Sequence, residues 1–458
     1  MNKRFAVVIR GWILPCFLLL CGMTFAQTEP VPRNVIVMIS DGCGFNHILA
    51  TNYYEDGEAG AERFQQTFRA LAMSTFSAGG GYEPGEIWAD FDACRKGATD
   101  SAAAGTAMAA GVKTSKGAIG VDRDKRPVLN MLEAAEAQGK ATGVITTVPL
   151  SHATPASFVA HNASRGNYEE IAREMLCESA ADVIMGAGHP EFDDNGEPVP
   201  PAETARKREG RHKYVGGTKI WQALKAGKPM ADADGDGTPD AWTLVETRQA
   251  FQALVDNPPK RVVGVLPVDK TAQAGRDAQA GDPAKEAPYD TPLLESSPTL
   301  AEMASGALAV LGQDPDGLFL MVEAGAVDWT GHRNALGRMI EEQIAFHNAI
   351  DAVIDWVESN GGWERNLVIV TSDHETGYLC GPDAGPEFTY VQSKGQGEMP
   401  AVTWHSTSHT NQLVPFYVRG AGTDEFVRRA EKTDPVFGAY LDNTDVGQAV
   451  LGFFETGS

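Results

Sequence analysis

Residues 35–41 read Val35-Ile36-Val37-Met38-Ile39-Ser40-Asp41: five apolar residues in a row, then a serine and a carboxylate. A short run of Val, Ile and Met without polar alternation predicts a strand buried on both faces, and a strand of that kind belongs to a parallel sheet. The same pattern recurs at 318–323, Leu-Phe-Leu-Met-Val-Glu323, and at 367–374, Leu-Val-Ile-Val-Thr-Ser-Asp373-His374. Residues 143–147, 183–185 and 262–266 are further short apolar runs. Helical patterns lie between them at 128–137 and at 339–357, where Ile340, Ile344, Ile350, Ile354 and Val357 fall near helical spacing. The alternation predicts an α/β fold, a three-layer sandwich with a large central, mostly parallel sheet flanked by helices. Two Gly- and Pro-rich stretches, 190–260 and 380–403, break the rhythm and read as insertions in one domain spanning 27–458.

In an open α/β sheet, ligands bind beyond the carboxyl ends of the strands, so Asp41, Glu323, Asp373 and His374 are delivered to one edge. Asp328 and His332, four apart, share a face if their segment is helical. His409 precedes the strand-like run 414–418, which leaves it at the other end of its strand or on a returning loop. Taken singly, each of these is as well read as a helix cap or an ordinary satisfied polar residue. Together, Asp, Glu and His without Cys have the ligand chemistry of zinc with a harder ion such as magnesium nearby. The segment Thr99-Asp100-Ser101-Ala102-Ala103-Ala104-Gly105-Thr106-Ala107 places a serine at the head of a small-residue helix, whose first amides can hold a phosphate oxygen. Either Asp100 or Ser101 would serve as its cap. A serine hydroxyl needs a base or a metal to become a nucleophile, and no G-x-S-x-G surrounds Ser101.

Lys3, Arg4 and Arg10 precede an apolar run at 12–20, and the segment closes on Thr24-Phe25-Ala26, a pattern that predicts a signal peptide over 1–26 and export to the periplasm or medium. No later segment is long and apolar enough to be a membrane span. A net charge of −23 argues against a nucleic-acid-binding surface, yet bound cations and one arginine can still make a positive pocket for a small phosphate ester. Cys43, Cys94, Cys177 and Cys380 allow three disulfide pairings, and spacing selects none. Asp232, Asp234, Asp236 and Asp240 have the D-x-D-x-D-G spacing of a calcium loop, but Thr243 stands where the bidentate carboxylate belongs, so a solvated acidic loop is the competing reading.

Seven motifs in chain order resemble the alkaline phosphatase family: Ser40-Asp-Gly-Cys-Gly44, the Thr99–Ala107 segment quoted above, Ser151-His-Ala-Thr-Pro-Ala156, Ala160-His-Asn-Ala-Ser-Arg165, Val322-Glu-Ala-Gly-Ala-Val-Asp328, Ser372-Asp-His-Glu-Thr-Gly377 and Ser408-His-Thr410. The resemblance implies the family's fold and phosphate monoester hydrolysis through a phosphoseryl intermediate on Ser101. It implies a first zinc on Asp328, His332 and His409, a second on Asp41, Asp373 and His374, and a magnesium bound by Asp41, Thr154 and Glu323. Arg165 would grip two phosphate oxygens, with Asp100 positioning it, and a homodimer is the family's common habit. His152 and Trp329 depart from one bacterial pattern, which has Asp at the first position and Lys or His at the second. His152 opens the third site to zinc. The competing functions are a sulfatase or phosphodiesterase of the same superfamily and a metal or phosphate binder without turnover. Ser101 is followed by Ala-Ala-Ala rather than the x-P-x-R of a sulfatase.

Overall fold

The computed structural model describes residues 31–200, 210–232, 237–279, 281–385 and 388–456. The predicted leader lies outside the described residues, as do Asp234 and Asp236.

Eleven strands form one sheet. In chain order they are β1 (Asn34–Ser40), β2 (Arg69–Ser74), β3 (Ala141–Pro149), β4 (Val183–Ala187), β5 (Thr243–Val245), β6 (Val262–Val265), β7 (Leu318–Ala324), β8 (Asn366–Thr371), β9 (Val414–Gly420), β10 (Lys432–Asp434) and β11 (Gly438–Asp442). Their spatial order is β10-β11-β2-β9-β8-β1-β7-β3-β4-β6-β5. Only β9 and β10 run against the rest. The strand quoted first, β1, sits between β8 and β7, with Val35 facing Leu367 on one side and Phe319 on the other.

Alternate residues of β1 enter opposite cores, which is why the run shows no polar alternation. Val35, Val37 and Ile39 pack with Ala102, Met108, Val446 and Val450; Ile36 and Met38 pack with Leu308, Met339, Ile340 and Ile350. The first core is covered by α2 (Ser101–Ala110) and α7 (Asn443–Thr456), the second by α1 (Phe45–Glu55), α4 (Leu300–Leu311) and α6 (Leu336–Ser359). Two short helices complete the frame of the site, α3 (Ala153–Ser157) and α5 (Ala326–His332).

The helix predicted over 128–137 begins later, at Met131, because Asn130 caps it: Asn130 Oδ1 accepts from Glu133 N and Glu133 Oε2 accepts from Asn130 N, both at 3.0 Å. Segment 190–260 does more than decorate, since it supplies edge strand β5, paired in parallel with β6. Segment 380–403 is closed at its neck by a two-stranded ribbon in which Leu379 faces Trp404 and Cys380 faces Thr403. Among the described residues, Cys43, Cys94, Cys177 and Cys380 are free thiols, and burial pushes those of Cys43, Cys94 and Cys380 up to about 12. No helix among the described residues is long and apolar enough to cross a membrane.

A candidate metal and nucleophile site

The carboxyl ends of β1, β7 and β8 carry Asp41, Glu323, Asp373 and His374 to one edge, where all four side chains are fully buried. One turn of α5 places Asp328 and His332 on the same face. His409 arrives at this edge because β9 is antiparallel: its first residue, not its last, lies beside the end of β8. There His409 and Thr410 form a short ribbon with Glu375 and Thr376.

Nitrogen or oxygen ligands about 2.0–2.1 Å from a tetrahedral zinc stand roughly 3.3 Å from one another. Asp328 Oδ1 is 3.3 Å from both His332 Nε2 and His409 Nε2, and the two nitrogens are 3.2 Å apart. Both imidazoles use Nδ1 toward carbonyl oxygens, His332 on Thr407 at 2.7 Å and His409 on Thr99 at 2.8 Å. Those contacts place a proton on Nδ1, so in the neutral rings two Nε2 lone pairs and a carboxylate converge on one point. A cation fits there. A second triangle lies beside it. His374 Nε2 is 3.3 Å from Asp373 Oδ2, 3.6 Å from Asp41 Oδ1 and 3.2 Å from Ser101 Oγ. The stacked His374 and His409 rings, 3.6 Å between centroids, join the two clusters.

Thr376, fully buried, links them as well. Its hydroxyl donates to Asp328 Oδ1 at 2.6 Å, which leaves its lone pair facing His374 Nδ1 at 3.3 Å. His374 therefore carries its proton on Nδ1 and turns a bare Nε2 to Ser101.

Between Asp41, Asp373 and Glu323, several oxygens have no partner in hydrogen-bonding geometry among the described residues: both of Asp41, Oδ2 of Asp373, Oε1 of Glu323 and the Thr154 hydroxyl. Burial raises the Asp41 and Asp373 carboxyls above their ordinary range, and the neighbouring carboxylates add to it. Burial also raises Glu323, against a lowering hydrogen bond from the Thr146 hydroxyl. Asp328 is held below its ordinary range despite burial, by His409 and His374. Such crowding of buried like charge costs stability until cations enter, so the donor set fits divalent metals. The third group rests on Asp41 and Glu323, brought together by the register in which Ile39 faces Glu323, and on Thr154 in α3.

Asp100, not Ser101, caps α2. Its Oδ1 accepts from Ala103 N at 3.1 Å, while its carboxylate also holds Gly117 N at 3.1 Å and Arg165 at 3.0 Å. The Ser101 hydroxyl is thereby left to the site. Arg165 lies half-buried beside it, with His152 Nε2 3.5 Å from the guanidinium. Burial, and then the charge of Arg165, press the pKa of His152 down to about 3, so the ring is neutral. Its Nδ1 is buried without a partner among the described residues, and the ring centroids of Trp329 and Tyr168 lie 5.7 and 6.3 Å from the centroid of the imidazole. The calcium-loop reading keeps two described members. Asp232 Oδ2 accepts from Gly237 N at 2.9 Å, and Asp240 faces Lys260 at 3.6 Å, a cation that competes for the carboxylate.

The family model of the alkaline phosphatases matches residues 32–399. The chain belongs to the alkaline phosphatase family. It is a hydrolase of that family, and the matched span holds every candidate ligand except His409. It is 31% identical over 357 residues to alkaline phosphatase 3 of Bacillus subtilis (strain 168), covering 77% of this chain and 63% of that relative, so the match spans less than two thirds of the relative's length. It is 27% identical over 498 residues to alkaline phosphatase 4 of the same organism, covering 94% of this chain and 90% of the relative. Among solved structures, the alkaline phosphatase of the Antarctic bacterium TAB5 superposes with a TM-score of 0.63 at 25% identity, over 93% of this chain and 99% of that one. A mutant of the Antarctic protein with aspartate in place of a histidine has Mg bound in its M3 site.

Thr376 and Thr146 escaped the reading of the sequence. For Thr376 the signal was its place in Ser372-Asp-His-Glu-Thr-Gly377; nothing local marks Thr146.

Proposed function

We propose that this chain hydrolyses phosphate monoesters through a phosphoseryl intermediate on Ser101. The observation that carries the reading is Ser101 Oγ standing 3.2 Å from His374 Nε2, as one more corner of the Asp41–Asp373–His374 donor set, with Arg165 alongside. Asp328, His332 and His409 would hold one zinc, Asp41, Asp373 and His374 a second, and Asp41, Thr154 and Glu323 a magnesium or, given His152, a zinc. Bound there, divalent cations lower the pKa of hydroxyl and water and neutralise the charge that develops on the attacking and leaving oxygens.

The chain's own residues do the rest. Ser101 Oγ attacks phosphorus, forming its P–O bond as the ester P–O bond breaks and the alcohol leaves. Water then attacks the phosphoserine, the bond to Oγ breaks, and inorganic phosphate is released with Ser101 restored. Arg165, held from behind by Asp100, presents its fork to two phosphate oxygens, geometry that favours a monoester dianion over a diester. Neutral His152 adds no charge to that grip, and Trp329 has none to offer. Because these contacts all address the phosphoryl group, specificity for the alcohol is broad. We further infer that the chain is exported with cleavage near Ala26; N-terminal sequencing of the mature protein tests this.

Hydrolysis of a chromogenic phosphate monoester, before and after chelation, tests the mechanism in wild type and Ser101→Ala. The variant is expected to lose more than ~10³-fold in kcat, and the chelated wild type to fall silent until metal is restored. Undiminished turnover by Ser101→Ala would sink the covalent route; full activity in metal-free protein would sink the metal assignment.

A further inference from the structure

A second cluster of ligand-type side chains lies outside the catalytic pocket. Glu55 is the last residue of α1, Glu62 precedes the short helix Arg63–Thr67, and His347 lies in the middle of α6. Their donor atoms fall within 4.8 Å of one another. His347 is 4% exposed, with Nδ1 2.9 Å from Glu62 Oε1 and 3.6 Å from Glu55 Oε2. These spacings bracket the roughly 3.3 Å edge of a tetrahedral zinc shell. Among the described residues, Glu55 Oε2 is shielded from solvent and has no partner in hydrogen-bonding geometry. Arg63, next to Glu62 in the chain, pairs instead with Asp355 at 2.7 Å and Glu358 at 3.5 Å on α6.

A single proton on His347 Nδ1 satisfies one carboxylate and leaves the other facing it beyond hydrogen-bond range. A divalent ion satisfies all three donors at once. We propose that Glu55, Glu62 and His347 bind a divalent cation of the zinc class, with water filling the remaining position, and that this ion staples the 55–62 turn to α6.

The surroundings allow the tautomer this requires. Gln343, one turn away, accepts from the Ser40 hydroxyl at 2.7 Å through Oε1 and faces His347 Nε2 with its amide nitrogen at 3.0 Å. Turning that amide by half a revolution offers its oxygen to a protonated Nε2 and its nitrogen to the Ser40 hydroxyl, which can accept. Nδ1 is then free for a metal, and the other ring nitrogen keeps a partner, as metal-bound imidazoles require. The same chain of contacts ends at Ser40, the residue before Asp41.

The test counts zinc. Protein saturated with zinc and freed of excess by gel filtration is analysed by plasma mass spectrometry for wild type, Glu55→Gln and Glu62→Gln. Crystals of wild type are measured above and below the zinc absorption edge. The expected result is one zinc fewer per chain in either variant, ester hydrolysis within about two-fold of wild type, and an anomalous peak between the three donors. Equal zinc content with no such peak overturns the proposal and leaves an ordinary histidine–carboxylate pair. Zinc lost in proportion to activity overturns it too, by placing the missing ion in the catalytic pocket. Glu55 is partly exposed at a helix end, and the two variants remove different donors, so a folding defect in one leaves the other to decide.

Discussion

Replacing Thr376 by valine keeps the shape of a fully buried side chain and deletes one hydroxyl. That hydroxyl donates to Asp328 Oδ1 at 2.6 Å and faces His374 Nδ1 at 3.3 Å, so each donor set loses the partner that orients one of its members. A hydrogen bond to a charged group contributes about 1.5–3 kcal/mol net. At roughly 1.4 kcal/mol per decade, its loss weakens zinc binding by about 10- to 150-fold, of the same order as the roughly 10- to 100-fold lost when outer partners of metal ligands are removed. The assay is competitive zinc titration of the apoprotein against a chromophoric chelator, with kcat measured at limiting and at saturating zinc. Thr376→Val is expected to bind zinc that much more weakly and to recover most of its kcat when zinc is raised, since no reacting group has been touched. Unchanged zinc affinity would refute the bridging role. Lost kcat that saturating zinc cannot restore would show that the hydroxyl acts on the reaction itself.

Arg165→Lys keeps the charge but replaces a planar fork with a point donor, and loses the 3.0 Å contact to Asp100 in its present geometry; kcat/KM should fall about 10- to 100-fold, and a fall under two-fold would argue against bidentate phosphate binding. Glu342 is 3% exposed, and burial, followed by the charge of Glu341, raises its carboxyl from 4.5 to about 7. Between those values the folded state keeps a proton that the unfolded chain has released, so stability falls as pH rises through that window, by about 3 kcal/mol at most. Glu342→Gln should therefore be the more stable protein at pH 8 and no different at pH 4, as urea unfolding would show; parallel profiles would refute this. Gly105→Ala gains about 1 kcal/mol of helix propensity, but the new Cβ falls 2.9 Å from Ser157 Oγ and 3.0 Å from Ser157 Cβ. Overpacking at about 1–3 kcal/mol outweighs the gain, and a raised melting temperature would contradict that balance.

The central strands were legible because burial on both faces leaves an unmistakable apolar run, and 35–39, 318–322 and 367–371 all lie within observed strands. Strand β5 was not, because only Val245 of its three residues is buried and the segment around it is polar. The helix start at Met131 was readable in principle from Asn130 and Glu133, three apart, but the apolar Val128 and Leu129 drew the boundary outward. The position of His409 could not be decided from sequence, since it depends on β9 running antiparallel, and strand direction is set by pairing partners far away in the chain. Hydroxyl partners such as Thr376 and Thr146 are invisible for the same reason: their role is a distance, and no periodicity encodes it.

Exposure divides the two donor clusters. Asp41, Asp373 and His374 come from the ends of central strands, which hold a backbone more rigidly than loops do, and all three are fully buried. His332 and His409 come from a short helix and a returning ribbon, and their side chains are 37% and 15% exposed. In the proposed reaction the nucleophile must be held in one geometry and kept from idle exchange with water, whereas the alcohol has to depart and water has to enter. Ser101 stands on the dry side, 3.2 Å from His374, and the solvent-facing histidines stand on the other. Had the two sets been exchanged, the serine would sit at an open rim and the leaving group would depart into the sheet. The order in which these ligands reach the surface is therefore itself an argument for attack by Ser101 from within and release of the alcohol outward.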